Sequence, residues 1–298
     1  MSKYDFMMQV EEHLKHCPEL GGALIEGQVY VRNNDTECYG IAIRRGEKNV
    51  SPIFYIDRFY EDYRRKKLTI SEASKRILSY FRNIEEEHPD VLSPSLDLDD
   101  CRDRITFRLI SAEYNRRYLS SMPYIPFLDL AIIFTIIHKI SPEGVESIRV
   151  TDELLDVWGV DCHELFRLAK VNTPRMFPVL VDPMIEVMGR FLEMDVETLR
   201  DMEMDGPLLL LSNKQCVYGA TSLLYEEEVD RIGERLGEDF YVLPSSIHEV
   251  LILPESEVTD PDYINSMIRQ INREHLGKVD VLSDRAYFYK RAENRFYF

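Results

Sequence analysis

Pairs of β-rich runs joined by turn residues recur along this 298-residue chain, and each pair leads into a run with helical spacing. No other feature restricts the fold as much. Runs joined by a tight turn pair antiparallel, because a parallel partner needs a crossover of a dozen residues or more. In the first stretch, residues 28–32, 37–44 and 50–56 are rich in β-branched and aromatic side chains, with Asn33-Asn34-Asp35 and Gly46 between them. Helical spacing precedes them at 4–16, through Phe6, Val10 and Leu14, and Pro18 ends it. It returns behind Asp57, with Phe59, Tyr60 and Tyr63, and over 70–87, where Ile77, Leu78 and Phe81 share a face. The hairpin-then-helix order is expected again at 127–172, 207–236 and 240–274. The expected class is therefore α+β: repeated β-hairpin-plus-helix units, with antiparallel sheets and helices packed on one face.

Residues 88–100 hold two prolines and a cluster of acids, which makes them the best linker. They divide an N-terminal lobe, 1–90, from a C-terminal lobe, 101–298, or else loop out of one continuous domain. Beyond them a strand is expected at 105–110, a helix at 113–121, and one buried β-branched strand at 127–140. Ser141-Pro-Glu-Gly turns that strand into another at 146–150. Thr151 caps a short helix ending at Trp158-Gly159, and Asp161 with Glu164 forms a capping box for a helix over 162–170. Pro174, Pro178 and Pro183 mark a loop before a helix at 184–192. Residues 207–211 and 217–224 flank Asn213-Lys214 as a hairpin, and Gly237 stops a helix over 226–236. Strands at 240–243 and 247–253 flank Pro244-Ser-Ser. Asp260-Pro261 opens a helix to about 274, and 286–289 with 295–298 closes the chain as a hairpin.

The formal charge is −17 and it is uneven: −2 over residues 1–90, −6 over 91–200 and −9 over 201–298. A field of that sign repels nucleic acid and anionic membranes, and suits a basic protein partner. Five cysteines, odd in number and far apart, form no Cys-x-x-Cys pair, so neither a zinc knuckle nor a disulfide framework is expected. The N-terminus carries acids where a signal peptide carries an apolar run, and the longest apolar run, 130–137, is too short to span a bilayer. A cytoplasmic protein is expected.

Several segments also carry a resemblance. Asn49-Val-Ser-Pro-Ile-Phe-Tyr-Ile-Asp, Asp103-Arg-Ile-Thr-Phe-Arg-Leu-Ile, Pro126-Phe-Leu-Asp-Leu-Ala and Leu154-Leu-Asp-Val-Trp-Gly-Val resemble those of an uncharacterised bacterial domain-of-unknown-function family. So does Leu243-Pro-Ser-Ser-Ile-His-Glu-Val. The resemblance runs along nearly the whole chain, and residues of about 103–253 are more distantly similar to a second uncharacterised bacterial family. The first family is typical of anaerobic gut bacteria. It implies a bacterial, cytoplasmic protein and brings no activity with it.

One segment invites a catalytic reading. Ser246 as nucleophile and His248 as base, with Glu249 beside them, make a hydrolase pattern, since on a strand 246 and 248 share a face. Val250 and Ile252 continue that face, which suits a core histidine equally, and no glycine-rich elbow accompanies the serine. His13 and His16 lie about one helical turn apart, but two ligands do not make a metal site. A calcium loop begun at Asp97 would meet Arg102 and Arg108 where glycine and glutamate are required. Arg64-Arg-Lys-Lys67, behind three aromatics, is the one strong basic run, and it sits where a helix dipole favours cations. Glu226-Glu-Glu228 and Asp230 open a helix, where acids are favoured for the same reason. No phosphate-binding glycine loop is present, and Trp158 reads as a packing residue. Neither cofactor nor metal is expected. The residues point to a non-catalytic interaction or regulatory protein with an acidic C-terminal surface, and the alternative is an enzyme, a hydrolase, built on residues 245–249.

Overall fold

A computed structural model describes residues 1–46, 51–87, 94–141, 144–202 and 206–298. Val50, the first six residues of the expected linker (88–93) and the centre of the expected turn at 141–144 lie outside the described residues. The chain divides into two compact units, Met1–Asp97 and Leu98–Phe298.

The first unit opens with α1 (Lys3–Lys15), held by a capping box in which Ser2 and Asp5 satisfy each other's free amides. Its Phe6, Met7, Val10 and Leu14 fall on one face and are buried. β1 (Ala23–Arg32) and β2 (Thr36–Arg45) form a hairpin across Asn33–Asp35, where Asn34 takes the left-handed backbone that its short side chain tolerates. β3 (Ile53–Tyr55) pairs with β2, giving the order β1-β2-β3. α2 (Asp57–Arg64) follows, with Asp57 bonded to Lys3 at 2.6 Å, and then α3 (Ile70–Glu87). Ile77, Leu78 and Phe81 of α3 and the buried face of α1 meet Ile25, Ile41 and Ile43 of the sheet in one core. The helices cover one face, as the spacing implies.

The second unit holds two antiparallel sheets. After α4 (Leu98–Cys101) comes β4 (Ile105–Ser111), which pairs over its full length with Leu130–Ile136 of β6 (Leu130–Ser141). The other edge of β6 takes β5 (Tyr124–Phe127) and then β7 (Gly144–Arg149). Helices α5 (Asp152–Trp158) and α6 (Cys162–Met176) follow, and α6 packs on β4 through Thr173, whose hydroxyl accepts the Phe107 amide at 3.1 Å. β8 (Val179–Pro183), α7 (Met184–Leu192), α8 (Val196–Asp201) and β9 (Leu209–Asn213) lead to a 3-10 segment, Gly219–Leu224. Then come α9 (Glu226–Leu236), β10 (Phe240–Leu243), β11 (Val250–Pro254), α10 (Pro261–Glu274), β12 (Tyr287–Lys290) and β13 (Arg295–Tyr297). The second sheet is six-stranded, in the order β13-β12-β10-β11-β9-β8. The molecule is thus α+β with antiparallel sheets, but not a series of repeated hairpin-plus-helix units.

Four local expectations fail, each for a physical reason. The helix expected at 113–121 is replaced by turns and a short 3-10 segment, because Asn115 donates to the Ser111 carbonyl at 2.8 Å and Ser111 accepts the Tyr114 amide. The single strand expected at 127–140 is the β5–β6 hairpin, broken at Leu128-Asp129 by a left-handed Leu128. Pro174 does not mark a loop; it lies in the last turn of α6. The strand expected at 217–224 is the 3-10 segment, so no hairpin forms across Asn213 and β9 pairs instead with β8 and β11.

Candidate functional site

Residues 244–249 form a loop before β11 rather than the start of that strand. Their backbone pairs with residues 280–283: the Ile247 amide donates to the Asp280 carbonyl, and the Leu282 amide to the Ser245 carbonyl, at 2.8 and 2.9 Å. Ser246 is only 2% exposed, and its hydroxyl oxygen accepts the His248 backbone amide at 3.0 Å. The His248 ring turns elsewhere. Nδ1 accepts the Tyr218 amide at 3.3 Å, so Nε2 carries the hydrogen and faces Asp280 Oδ1 at 3.4 Å. Both ring nitrogens are engaged. Glu249 is half-buried, and no hydrogen bond or ion pair joins it to Ser246 or His248 among the described residues. The structure gathers the three residues in one loop without linking their side chains.

What it does bring together is a stack. The Tyr218 ring lies against the His248 ring, with centroids 5.7 Å apart, and the Arg108 guanidinium sits 3.8 Å from the Tyr218 centroid. Arg108, from β4, also donates to Ser147 on β7 at 2.6 Å, and burial pushes its guanidinium below the usual value while the Tyr218 side chain opposes that shift. Tyr218 and Cys216 both hold left-handed backbone, a strained state for non-glycine residues. The Asn213 side chain steadies the loop, its Oδ1 accepting the Gln215 backbone amide at 3.1 Å and its Nδ2 donating to the Val217 carbonyl at 2.8 Å. Gly219 is required next to it, since a Cβ there would come within 2.3 Å of the His248 carbonyl oxygen. Ring stacking, cation–π attraction and hydrogen bonds to the backbone hold this cluster together.

Open space lies by α9. A cleft of about 560 Å³ runs between the β5–β6 turn, the end of the 3-10 segment, the start of α9 and the β12–β13 hairpin. Ile132, Leu223 and Val229 give it an apolar floor, and Phe127 and Phe296 meet edge-to-face at its side, 5.8 Å apart. Polar groups converge on it from separate elements. Asp230 accepts the Tyr289 hydroxyl at 2.5 Å; burial first, and that bond second, raise the Tyr289 phenol above its usual value. Glu226, paired with Lys170 at 2.8 Å, and Arg295 also line the cleft. A second hollow of about 620 Å³ on the other flank of the α9 start shares Leu224 and Glu226 and adds Glu227 and Glu228. Glu226, Glu227 and Glu228 occupy the first turn of α9, as the sequence implies, and they also border these two hollows. Glu226 and Asp230 were visible in the sequence, whereas Tyr289 and Arg295 carried no local signal because they arrive from a distant hairpin.

Elsewhere, the His16 ring bonds the Glu12 carbonyl oxygen at 2.8 Å, one turn back on α1. Among the described residues, no group of three or more His, Cys, Asp or Glu side chains is arranged to hold a metal ion, and no helix is long and apolar enough to cross a membrane. The five cysteines are all free. The chain belongs to a family of unknown function (DUF5688), whose model matches residues 3–291. No curated protein and no solved structure matches it.

Proposed function

We propose, from membership of a family to which no activity is attached, that this is a non-catalytic interaction protein. Its C-terminal unit receives a cationic, apolar-anchored segment of a protein partner in the cleft beside α9. The observation that carries the reading is the pairing of an apolar floor with the Glu226 and Asp230 carboxylates on one wall. The wider charge supports it, since residues 98–298 hold 36 acidic against 22 basic side chains. An anchor side chain would gain by leaving water for that floor, and a neighbouring lysine or arginine would be steered to the acids. Free cysteines support a reducing, cytoplasmic setting as part of the same proposal.

Fluorescence polarisation with labelled peptides alternating Lys or Arg with Leu or Phe tests this. Binding is expected to weaken as salt rises, and Glu226→Gln with Asp230→Asn to weaken it about tenfold, roughly 1.4 kcal/mol. Equal affinity for the double variant, or for acidic peptides of the same apolar content, would remove the cleft from consideration. The hydrolase alternative on Ser246, His248 and Glu249 requires the serine hydroxyl to leave the His248 amide and reach solvent. Covalent labelling of Ser246 by a fluorophosphonate would favour it over the binding role.

A further inference from the structure

Among the described residues, no strand pairs with the outer edge of β1, and that edge departs from how exposed sheet edges are usually built. β1 ends the strand order and runs ten residues in unbroken register, from Ala23 opposite Arg45 to Arg32 opposite Thr36. Proteins commonly blunt such an edge with proline, lysine or a bulge, and β1 has none of these. Apolar side chains collect there instead. Val29 is 40% exposed, and Tyr4 and Met8, one turn apart on α1, are 51% and 38% exposed. Tyr4 and Met8 line a groove of about 670 Å³ between α1 and β1. Ile25 is buried in the core with α1, and Gly27 lies against Met7 and Glu11, so Val29, next in the alternation, shares the helix-bearing face.

We propose that β1 pairs antiparallel with β1 of a second copy of this chain, about a two-fold axis at Val29, joining two three-stranded sheets into one of six strands. The occupant follows from charge. β1 carries one acid and one base, Glu26 and Arg32, both exposed and on the same outer face. An axis at Val29 sets Glu26 of each copy across from Arg32 of the partner subunit, twice over, and Val29 against its own equivalent. Arg32, which rests 4.9 Å over the Tyr55 ring in the single chain, turns to that carboxylate. The two α1 helices then flank the seam on one face, and Tyr4 and Met8 fill each other's grooves.

Sedimentation equilibrium of the full chain, over about two decades of micromolar concentration, is expected to give twice the 35.1 kDa chain mass. Val29→Lys and Arg32→Glu should each weaken the dimer at least about tenfold. The double exchange of Glu26→Arg with Arg32→Glu should restore it, since the opposite charges meet again in reverse order. A chain that stays monomeric throughout overturns the proposal. So does a dimer indifferent to Val29→Lys, or a double exchange no more dimeric than Arg32→Glu alone. Circular dichroism melts of each variant separate loss of pairing from loss of fold, and if Val29→Lys unfolds, the charge exchange at two exposed positions decides.

Discussion

Asp129 shows how much of this structure hangs on single side chains. Its two carboxylate oxygens accept the Tyr287 hydroxyl at 2.6 Å and the Ser283 hydroxyl at 2.7 Å, tying the β5–β6 turn to the segment that leads into β12. Tyr287 is fully buried, and desolvation, reinforced by the carboxylate, raises its phenol well above the ordinary value. Asp129→Ala would strand that hydroxyl without an acceptor, so urea unfolding should show a loss of about 2–4 kcal/mol. A change below roughly 0.5 kcal/mol would mean that water replaces the carboxylate freely. In the sequence this residue sits inside a long apolar run and reads as one position of a strand. Its role depends on partners more than 150 positions away, which no local pattern announces.

At the scale of elements, those whose ends are set by their own residues were legible. Thr151, Asp161 and Asp260 each accept a backbone amide of the helix they open, and Gly159 and Gly237 take the left-handed turn that closes α5 and α9. Asp161→Ala removes one such bond from the start of α6, and its cost should be about 1 kcal/mol by urea unfolding; a loss above roughly 3 kcal/mol would imply a tertiary role for the carboxylate. Elements held by side chains from elsewhere were not legible. The 3-10 segment before α9 is one, since Ser222 donates to the Ser212 carbonyl at 3.0 Å and Thr221 accepts the Leu109 amide at 3.3 Å. The β-branched and apolar character of residues 217–224 suits a strand, but those bonds impose the tighter turn.

For the whole molecule, pH dependence at the alkaline end is set by phenols held in their neutral form. Tyr225, Tyr287 and Tyr289 are raised by burial first, while Tyr114 is pushed up to about 12 chiefly by its bond to Asp284. Each folded-state value lies above that of the unfolded chain. The stabilisation is therefore complete below about pH 10 and is lost as pH rises past it, because the unfolded chain sheds protons that the folded chain keeps. Urea midpoints should fall steadily above about pH 10, and absorbance at 295 nm should show phenols in the folded protein ionising later than in urea. Folded and unfolded titrations that superimpose would contradict this.

The sequence by itself determined the class and the local punctuation. Hairpin turns exclude a parallel sheet, apolar spacing sets the buried faces of α1 and α3, and capping residues place α5, α9 and α10. These follow from interactions that span a few residues, so their signals lie side by side in the chain. Tertiary structure alone decided which strands neighbour one another and which polar groups share a space. The His248 ring met Tyr218 and Asp280 rather than the Ser246 hydroxyl, and Asp230 met Tyr289 over an apolar floor. Such meetings depend on long-range packing, whose partners are chosen by shape and burial and not by position along the chain.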